Sequence, residues 1–465
     1  MALLFLLPIA LLLSIPPHDY WWYVRLGKDI LSSGAVPVVD TFSYTFPGRP
    51  IFYQPWLSAV IFWLAHDLGG AALTFLLRAI CIGTAYGVVW KFMREAGTET
   101  RIASLLLILM GLSSSMNWSM RPQIFAYPLF ALALWIMFRW NNGRSNHLWI
   151  LPVIVLLWAN LHGSFILAFV LMGPAWLFGK GDRKKLALWL GLSLLATFLN
   201  PRGLYVWQFV PEMLTSPSDQ LYATEWRPPV NAGWQMNIFF TWVLLFIPLA
   251  AISPRRLSTL EWFWFIGFGW LAFSGLRYVI WFMFIMAIYT GALLTPLLQK
   301  YLREPNLADS RPMINYALGT LLLVFPLMLL PGIREAWWDD APPPYSLDTT
   351  PIEAAKWMED HPNLPGPLFA DYTFGSYLTF ALPSRLLWID NRFNAYPPEH
   401  WEKYQQISAA NSLWDSFLDE DSVNLLMLSL HSQPALVQAV EGSNQWCEEY
   451  RDDDAVIFSR CEPIQ

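Results

Sequence analysis

Apolar runs separated by short polar stretches dominate the first two-thirds of the chain. Runs of spanning length or near it fall at 2–16, 71–92, 102–117, 123–138, 147–161, 164–179, 185–200, 236–253, 258–275, 277–298 and 314–333, eleven in all. A helix that crosses hydrocarbon needs about 20 apolar residues. The first run falls short of that, so it requires tilt, local bilayer thinning or an early start. It lacks a basic leading segment and a clear small-residue cleavage site, so it reads as a retained span rather than a signal peptide. The segment 55–68 (PWLSAVIFWLAHDL) is apolar but short and reads as a helix lying in the interface. Between these lies a different pattern. Tyr20, Tyr23, Val24, Gly27, Ile30 and Leu31 share one helical face, with Arg25, Lys28, Asp29 and Ser32 opposite. That spacing predicts an amphipathic helix on the membrane surface, entered through the turn at Pro16 and Pro17.

After position 333 the pattern changes again. The stretch 334–350 contains APPPYSLDTTP and reads as a linker. Beyond it, helical segments at 352–360, 375–381 and 399–407 alternate with apolar β-type runs at 367–370, 386–389 and 423–429. Alternation of this kind predicts a small α/β domain with a partly parallel sheet. Gly366 and Gly375 are too isolated to form a phosphate loop. Asp390, Asn391 and Arg392 end one β-type run, where an Arg–Asp pair in a polar turn outweighs a ligand site. The expected organisation is a polytopic α-helical membrane domain over 1–333 with external loops 17–70 and 201–235, the linker, and a soluble extracytoplasmic α/β domain over 351–465.

Composition agrees with a membrane protein. The 465 residues are 55% apolar and 14% charged, with 27 tryptophans, a residue that favours headgroup depth. No basic stripe suggests nucleic acid. Charge also orients the spans. With a cytoplasmic N-terminus, the inner loops hold Lys91, Arg94 and Arg101; Arg139 and Arg144; Lys180, Arg183, Lys184 and Lys185; Arg255 and Arg256; and Lys300, Arg303 and Arg311. This obeys the positive-inside rule, and it would invert if 55–68 also spanned. The tail is therefore expected outside. Cys81 falls within a span. Cys447 and Cys461 flank two short strand-like segments around an acidic turn, which would bring them within disulfide reach, and an oxidising compartment would permit the bond.

The stretch SIPPHDYWWYVRLGKDILSSG, Ser14–Gly34, places Asp19 at the exit of the first span. Asp is a preferred N-cap, and a cap and a catalyst are not exclusive roles. The order of features resembles the start of the GT-C superfamily of lipid-linked sugar transferases, nearest to the protein O-mannosyltransferase and aminoarabinose transferase branch. In that branch an external Asp, often Asp-Glu, follows the first span. A short helix, a small-residue turn and a Lys-Pro-Pro-Leu element come next. Here Asp19 matches the Asp, Arg25–Gly34 the helix and turn, and Gln54-Pro55-Trp56-Leu57 the last element. The likeness covers about 2–95, then continues only as span number, a long mid-chain external loop and an external C-terminal domain. Tyr20 stands in place of the frequent Glu, and Gln54 in place of a Lys that meets phosphate.

The resemblance implies transfer of a sugar from a polyprenyl phosphate in the membrane to an extracytoplasmic acceptor, with Asp19 as general base. Cations must then stabilise the leaving phosphate, and arginine matches its geometry. Candidate binding residues are Arg121, Arg202 and Arg277 at the outer ends of spans, with Arg227, Glu225, His162, His18 and Gln54 also external. No ligand spacing supports a metal site, so no cofactor is expected, although Glu225 and His162 leave a divalent metal open. A coupled transporter would place ionisable groups near mid-span, whereas Arg78, Arg277 and Glu261 lie toward span ends. A non-catalytic scaffold that recognises a lipid-linked glycan is the remaining alternative.

Overall fold

The computed structural model describes residues 2–16, 19–144, 147–299 and 312–461. His18 and the inner-loop cations Lys300, Arg303 and Arg311 lie outside them. Contacts divide the chain into two compact units, one of residues 1–13, 68–208 and 224–341, the other of 14–67, 209–223 and 342–465.

The first unit is a helix bundle. It contains α1 (Ala2–Leu12), the second part of α3 (Trp56–Glu95), α4 (Thr100–Ser114), α5 (Gln123–Asn141), α6 (Leu151–Leu161), α7 (Ile166–Phe178), α8 (Arg183–Ala196), α11 (Gly233–Ile252), α12 (Thr259–Ser274), α13 (Val279–Leu298) and α14 (Pro312–Met328). Each apolar run of the sequence is thus helical. Among the described residues four helices, at 56–95, 123–141, 233–252 and 276–298, are long and apolar enough to cross a membrane. The 40-residue α3 is not continuous. Gly69 (φ −156°, ψ 17°) and Gly70 (φ 54°, ψ −141°) leave helical geometry, and the positive φ at Gly70 suits a residue without Cβ. The polar–apolar pattern places its division at this same Gly-Gly pair.

Two arginines finish α1. Its last carbonyls have no intrahelical donor, and Arg78 donates to Leu13 O while Arg334 Nη1 donates to Leu11 O at 3.3 Å. Both guanidinium groups are fully buried. Cations at a helix C-terminus also complement its dipole.

The second unit is built on the tail. Its elements are α15 (Ile352–Asp360), β1 (Leu368–Ala370), α16 (Tyr372–Ala381), α17 (Pro398–Ser408), α18 (Trp414–Glu420), β2 (Leu425–Ser429), α19 (Pro434–Glu441), β3 (Trp446–Arg451) and β4 (Ala455–Arg460). The sheet order is β1-β2-β4-β3, with β1–β2 parallel and the other pairs antiparallel. Strand β2 is buried at every position, so its alternate side chains serve two cores. Leu425 and Met427 join Ala355, Met358, Phe374 and Leu378 on the α15–α16 side. Leu426 and Leu428 join Trp401, Ile407, Leu418 and Leu436 on the α17–α19 side. The sequence pattern does not reveal α18 and α19, which are too short to show a helical period.

The run 386–389 is not a strand. Leu387 makes single bridges to Ser43 and Leu368. Its backbone exchanges hydrogen bonds with the first long loop, Leu387 N to Phe42 O at 3.0 Å and Tyr44 N to Leu387 O at 3.1 Å. Residues 42–44 of the first long loop therefore pair with Leu387, which itself bridges to β1.

Helix α2 (Tyr20–Ser33) also departs from the expected surface helix. Tyr20, Trp21, Trp22, Tyr23, Val24, Leu26, Gly27 and Ile30 are all buried, whereas Leu31 is exposed. The partner is α16. Trp22 N donates to Ser376 Oγ at 3.3 Å, and Arg25 Nη1 donates to Thr379 O at 3.1 Å. The first turns thus face protein on several sides, and a single apolar stripe does not describe them. Gly27 is where α2 meets the first part of α3 most closely. A Cβ there would lie 2.1 Å from Ala59 O, so any larger residue forces the helices apart.

Cys447 and Cys461 form a disulfide that closes the β3–β4 hairpin. Their sequence separation is 14, and a loop of that size corresponds to about 3 kcal/mol in the chain-entropy description. The variant Cys447→Ser/Cys461→Ser is expected to lower the unfolding temperature of the tail. Treatment with reductant should reproduce the shift in the wild type and have no effect on the variant. An unchanged melting curve in both cases would mean that the hairpin is held by its sheet alone.

Candidate functional site

Asp19 stands at the N-cap position of α2, in the second unit. Its carbonyl accepts from Tyr23 N at 3.2 Å, but its carboxylate makes no capping hydrogen bond. The backbone is helical at this residue (φ −96°, ψ −14°). A capping side chain normally needs extended backbone at its own residue to reach back to the N2 or N3 amide. The residue is half-buried. Gln54, one residue before Pro55, is 2% exposed.

In the first unit, three residues far apart in sequence form one ionic cluster. Arg121 precedes α5, with its carbonyl accepting Ile124 N at 2.9 Å. Glu225 lies in the 3-10 turn Thr224–Trp226 and Arg277 in the turn Leu276–Tyr278 that leads into α13. Arg121 Nη1 is 2.6 Å from Glu225 Oε1, and Arg277 Nη1 is 4.0 Å from the same oxygen. All three side chains are between 13% and 26% exposed. Two guanidinium groups share one carboxylate, so the cluster carries a net positive charge on a partly desolvated surface.

Backbone contacts hold this geometry. Leu276 N donates to Arg227 O at 3.0 Å, which links the two turns. Gln123 Nε2 donates to Arg277 O at 3.0 Å and Asn117 Nδ2 to Leu276 O at 3.2 Å. The Arg277 guanidinium stacks 4.4 Å from the Trp226 ring centroid, an attraction of about 0.5–2 kcal/mol depending on desolvation. Trp226, Gln123 and Asn117 escape the reading of the sequence. Trp226 could have been found, because it sits between Glu225 and Arg227 in ATEWRPP. Gln123 and Asn117 carry no local signal.

His162 lies in the same unit, at the junction of α6 and α7. Its Nδ1 accepts from Ser164 N at 3.0 Å and lies 2.7 Å from Ser164 Oγ. Burial, then the cations Arg277 and Arg121, hold the imidazole well below its usual pKa. It is neutral at physiological pH. With Nδ1 accepting, the proton sits on Nε2, which makes that nitrogen a donor. Arg202 stands in a separate turn of the same unit, NPRG, where Asn200 Oδ1 accepts its amide at 2.8 Å. Arg121, Glu225 and Arg277 are thus brought together, with His162 in the electrostatic field of the two arginines, while Asp19 and Gln54 belong to the second unit.

Asp390 and Arg392 form part of a closed network. Arg392 Nε and Nη2 donate to Asp390 at 2.9 and 2.6 Å. Its Nη1 donates to Asp40 Oδ1 at 2.7 Å and Tyr53 Oη at 3.0 Å, and Tyr396 Oη donates to Asp390 Oδ2 at 2.8 Å. Burial alone would lower the Arg392 pKa, but Asp390 and Asp40 outweigh it and push it up. The three charged groups are buried and satisfied. This is a structural junction that ties the first long loop to the tail.

No family model matches the chain, and no curated protein matches it. Solved structures do. The oligosaccharyltransferase AglB of Archaeoglobus fulgidus, solved with an inhibitory peptide and a dolichol-phosphate, superposes with a TM-score of 0.60 at 12% identity, over 100% of this chain and 74% of its own. An Archaeoglobus fulgidus oligosaccharyltransferase tethered with an acceptor peptide gives 0.58 at 15% identity, over 100% of this chain and 74% of its own. The mycobacterial arabinofuranosyltransferase AftD gives 0.57 at 16% identity, over 100% of this chain but 40% of its own. At such identities the likeness concerns the fold. The chain shares its fold with these sugar transferases, and among its described residues four helices are long and apolar enough to cross a membrane.

Proposed function

We propose that this protein transfers a sugar from a polyprenyl-phosphate donor to an extracytoplasmic acceptor. The branch related to protein O-mannosyltransferases and aminoarabinose transferases is the nearest by its N-terminal motif. The acceptor oxygen or nitrogen attacks the anomeric carbon. Its proton passes to a general base, a role that the N-terminal resemblance gives to Asp19, the carbon–oxygen bond to phosphate breaks, and polyprenyl phosphate leaves with the electron pair. Arg121 and Arg277 supply the fixed positive charge that the leaving phosphate requires. Glu225 keeps the two guanidinium groups in place, and neutral His162 offers Nε2–H to a phosphate or sugar oxygen. The observation that carries this reading is the Arg121–Glu225–Arg277 cluster in a fold shared with two sugar transferases.

The orientation we infer has the N-terminus in the cytoplasm and the tail outside. The loops after α5 and α7 and the loop between α11 and α12 supply Asn141, Asn142, Lys180, Arg255 and Arg256 to one cavity. Three of the cationic loops thus meet at one end of the bundle, as the positive-inside rule requires. The disulfide supports an oxidising location for the tail.

The experiment is release of polyprenyl phosphate from a panel of polyprenyl-phosphate hexoses and pentoses by the purified chain. Arg277→Gln is expected to lower kcat/KM by about 10²–10³, the range for one lost electrostatic donor. Arg277→Lys should recover only part, since a point charge lacks the planar fork. Wild-type rates in Arg277→Gln would remove the cluster from the reaction.

A further inference from the structure

Within the bundle a second polar site lies far from Glu225. A cavity of about 210 Å³ is lined by groups from α3, α5, α12, α13 and the loops that follow α5, α7 and α11. Helix α5 runs from Gln123, beside the ionic cluster, to Asn141, on the cavity wall. Its 19 residues separate the two places by roughly 28 Å at about 1.5 Å per residue. The cavity therefore lies at the opposite end of the bundle from the Arg121–Glu225–Arg277 cluster.

Its lining is divided. Phe92, Leu134, Trp264 and Ile288, all buried, make an apolar wall. Lys180, Arg255 and Arg256 bring cations, against the single carboxylate of Glu261. That carboxylate is already matched. Arg255 Nη2 lies 2.7 Å from its Oε1, and Ser258 N donates to its Oε2 at 2.7 Å. Arg256 Nη1 is bonded to Ala251 O at 3.1 Å. Lys180 Nζ and the second Arg255 nitrogen remain for a ligand.

Two buried donors point to what is missing. Tyr289 is 4% exposed and lines the cavity, yet among the described residues its hydroxyl has no hydrogen-bond partner. Arg255 Nη1 is likewise buried without one. A buried donor left unmet is costly, by about 1–3 kcal/mol and more when charged. A ligand fitting this lining carries an anionic oxygen cluster at one end and hydrocarbon at the other. A free inorganic anion would leave the apolar wall uncovered.

We propose that this cavity binds the phosphate headgroup of an anionic phospholipid. Basic pockets between membrane helices recognise such headgroups through the same combination of cations and hydroxyls. Tyr289 and Arg255 would donate to phosphate oxygens, Lys180 would close the rim, and the first acyl carbons would lie on Trp264 and Phe92.

The test uses the full chain stripped of lipid in detergent, with phosphatidylglycerol, phosphatidylcholine or inorganic phosphate added in parallel. Native mass spectrometry reads bound lipid and a melting curve reads stabilisation. Phosphatidylglycerol should bind and raise the unfolding temperature of the wild type, while phosphatidylcholine at the same concentration should do so weakly. Tyr289→Phe and Lys180→Gln should each weaken phosphatidylglycerol binding by about tenfold, the loss of one charge-assisted hydrogen bond, while the lipid-free melting temperature stays at the wild-type value in Lys180→Gln and is no lower in Tyr289→Phe, which removes the unmet donor. Equal binding of the two lipids, or variants that bind like wild type, would overturn the proposal. Stabilisation by inorganic phosphate alone would overturn it too, making the cavity a small-anion site.

Discussion

Asp19→Asn is expected to reduce sugar transfer by about 10²–10⁴, the contribution of a positioned general base. Asparagine has nearly the same shape but cannot take a proton at neutral pH. Asparagine keeps the size of the side chain and its ability to accept hydrogen bonds, so the variant should still fold, as a melting curve checks. The pairing of lost turnover with preserved folding is what separates a transferase from a scaffold that recognises a lipid-linked glycan. A scaffold would tolerate the change in both measurements. Donor binding, followed by retention of a labelled polyprenyl-phosphate sugar, should persist in Asp19→Asn and weaken in Arg277→Gln. If Asp19→Asn turns over at the wild-type rate, the base lies elsewhere and the mechanism proposed above is wrong.

The second large effect is structural. Arg392→Met is expected to destabilise the second unit by about 3–5 kcal/mol, because it leaves the buried carboxylates of Asp40 and Asp390 without their cation. At about 2–4 °C per kcal/mol for a unit of this scale, the unfolding temperature should fall by roughly 6–20 °C. The double variant Asp40→Asn/Arg392→Met should be less destabilised than Arg392→Met alone, since it removes one uncompensated charge. That sign of coupling is what contacting charges produce in a double-mutant cycle. Simple additivity of the two losses would show that Asp40 and Arg392 do not interact. Transfer activity should fall with stability, because the same unit carries Asp19.

The network also shows where one-dimensional reading stops. Asp390 and Arg392 are two residues apart, and their pairing in a polar turn is legible from spacing alone. Asp40 and Tyr53 are more than 330 positions away, and nothing in the loop 35–54 marks them as its partners. The same holds for Glu225. Its neighbourhood in ATEWRPP reads as an external loop, whereas its meeting with Arg121 and Arg277 depends on how three separate turns pack. Helix α2 fails for a related reason. Period analysis assumes one buried face, but its first turns are enclosed on several sides, and Leu31, on the expected apolar face, is exposed.

By itself, the sequence determined the helical segments, the break at Gly69–Gly70, the α/β character of the tail and the reach between Cys447 and Cys461. Each follows from local periodicity, backbone permissiveness or short spacing, which act within a few turns of chain. Tertiary structure alone decided that the first long loop pairs with Leu387 of the tail, that Arg121, Glu225 and Arg277 share one place, and that Tyr289 and Arg255 keep unmet donors in a cavity. Those outcomes depend on contacts between distant segments, where packing and desolvation select partners that no local pattern encodes.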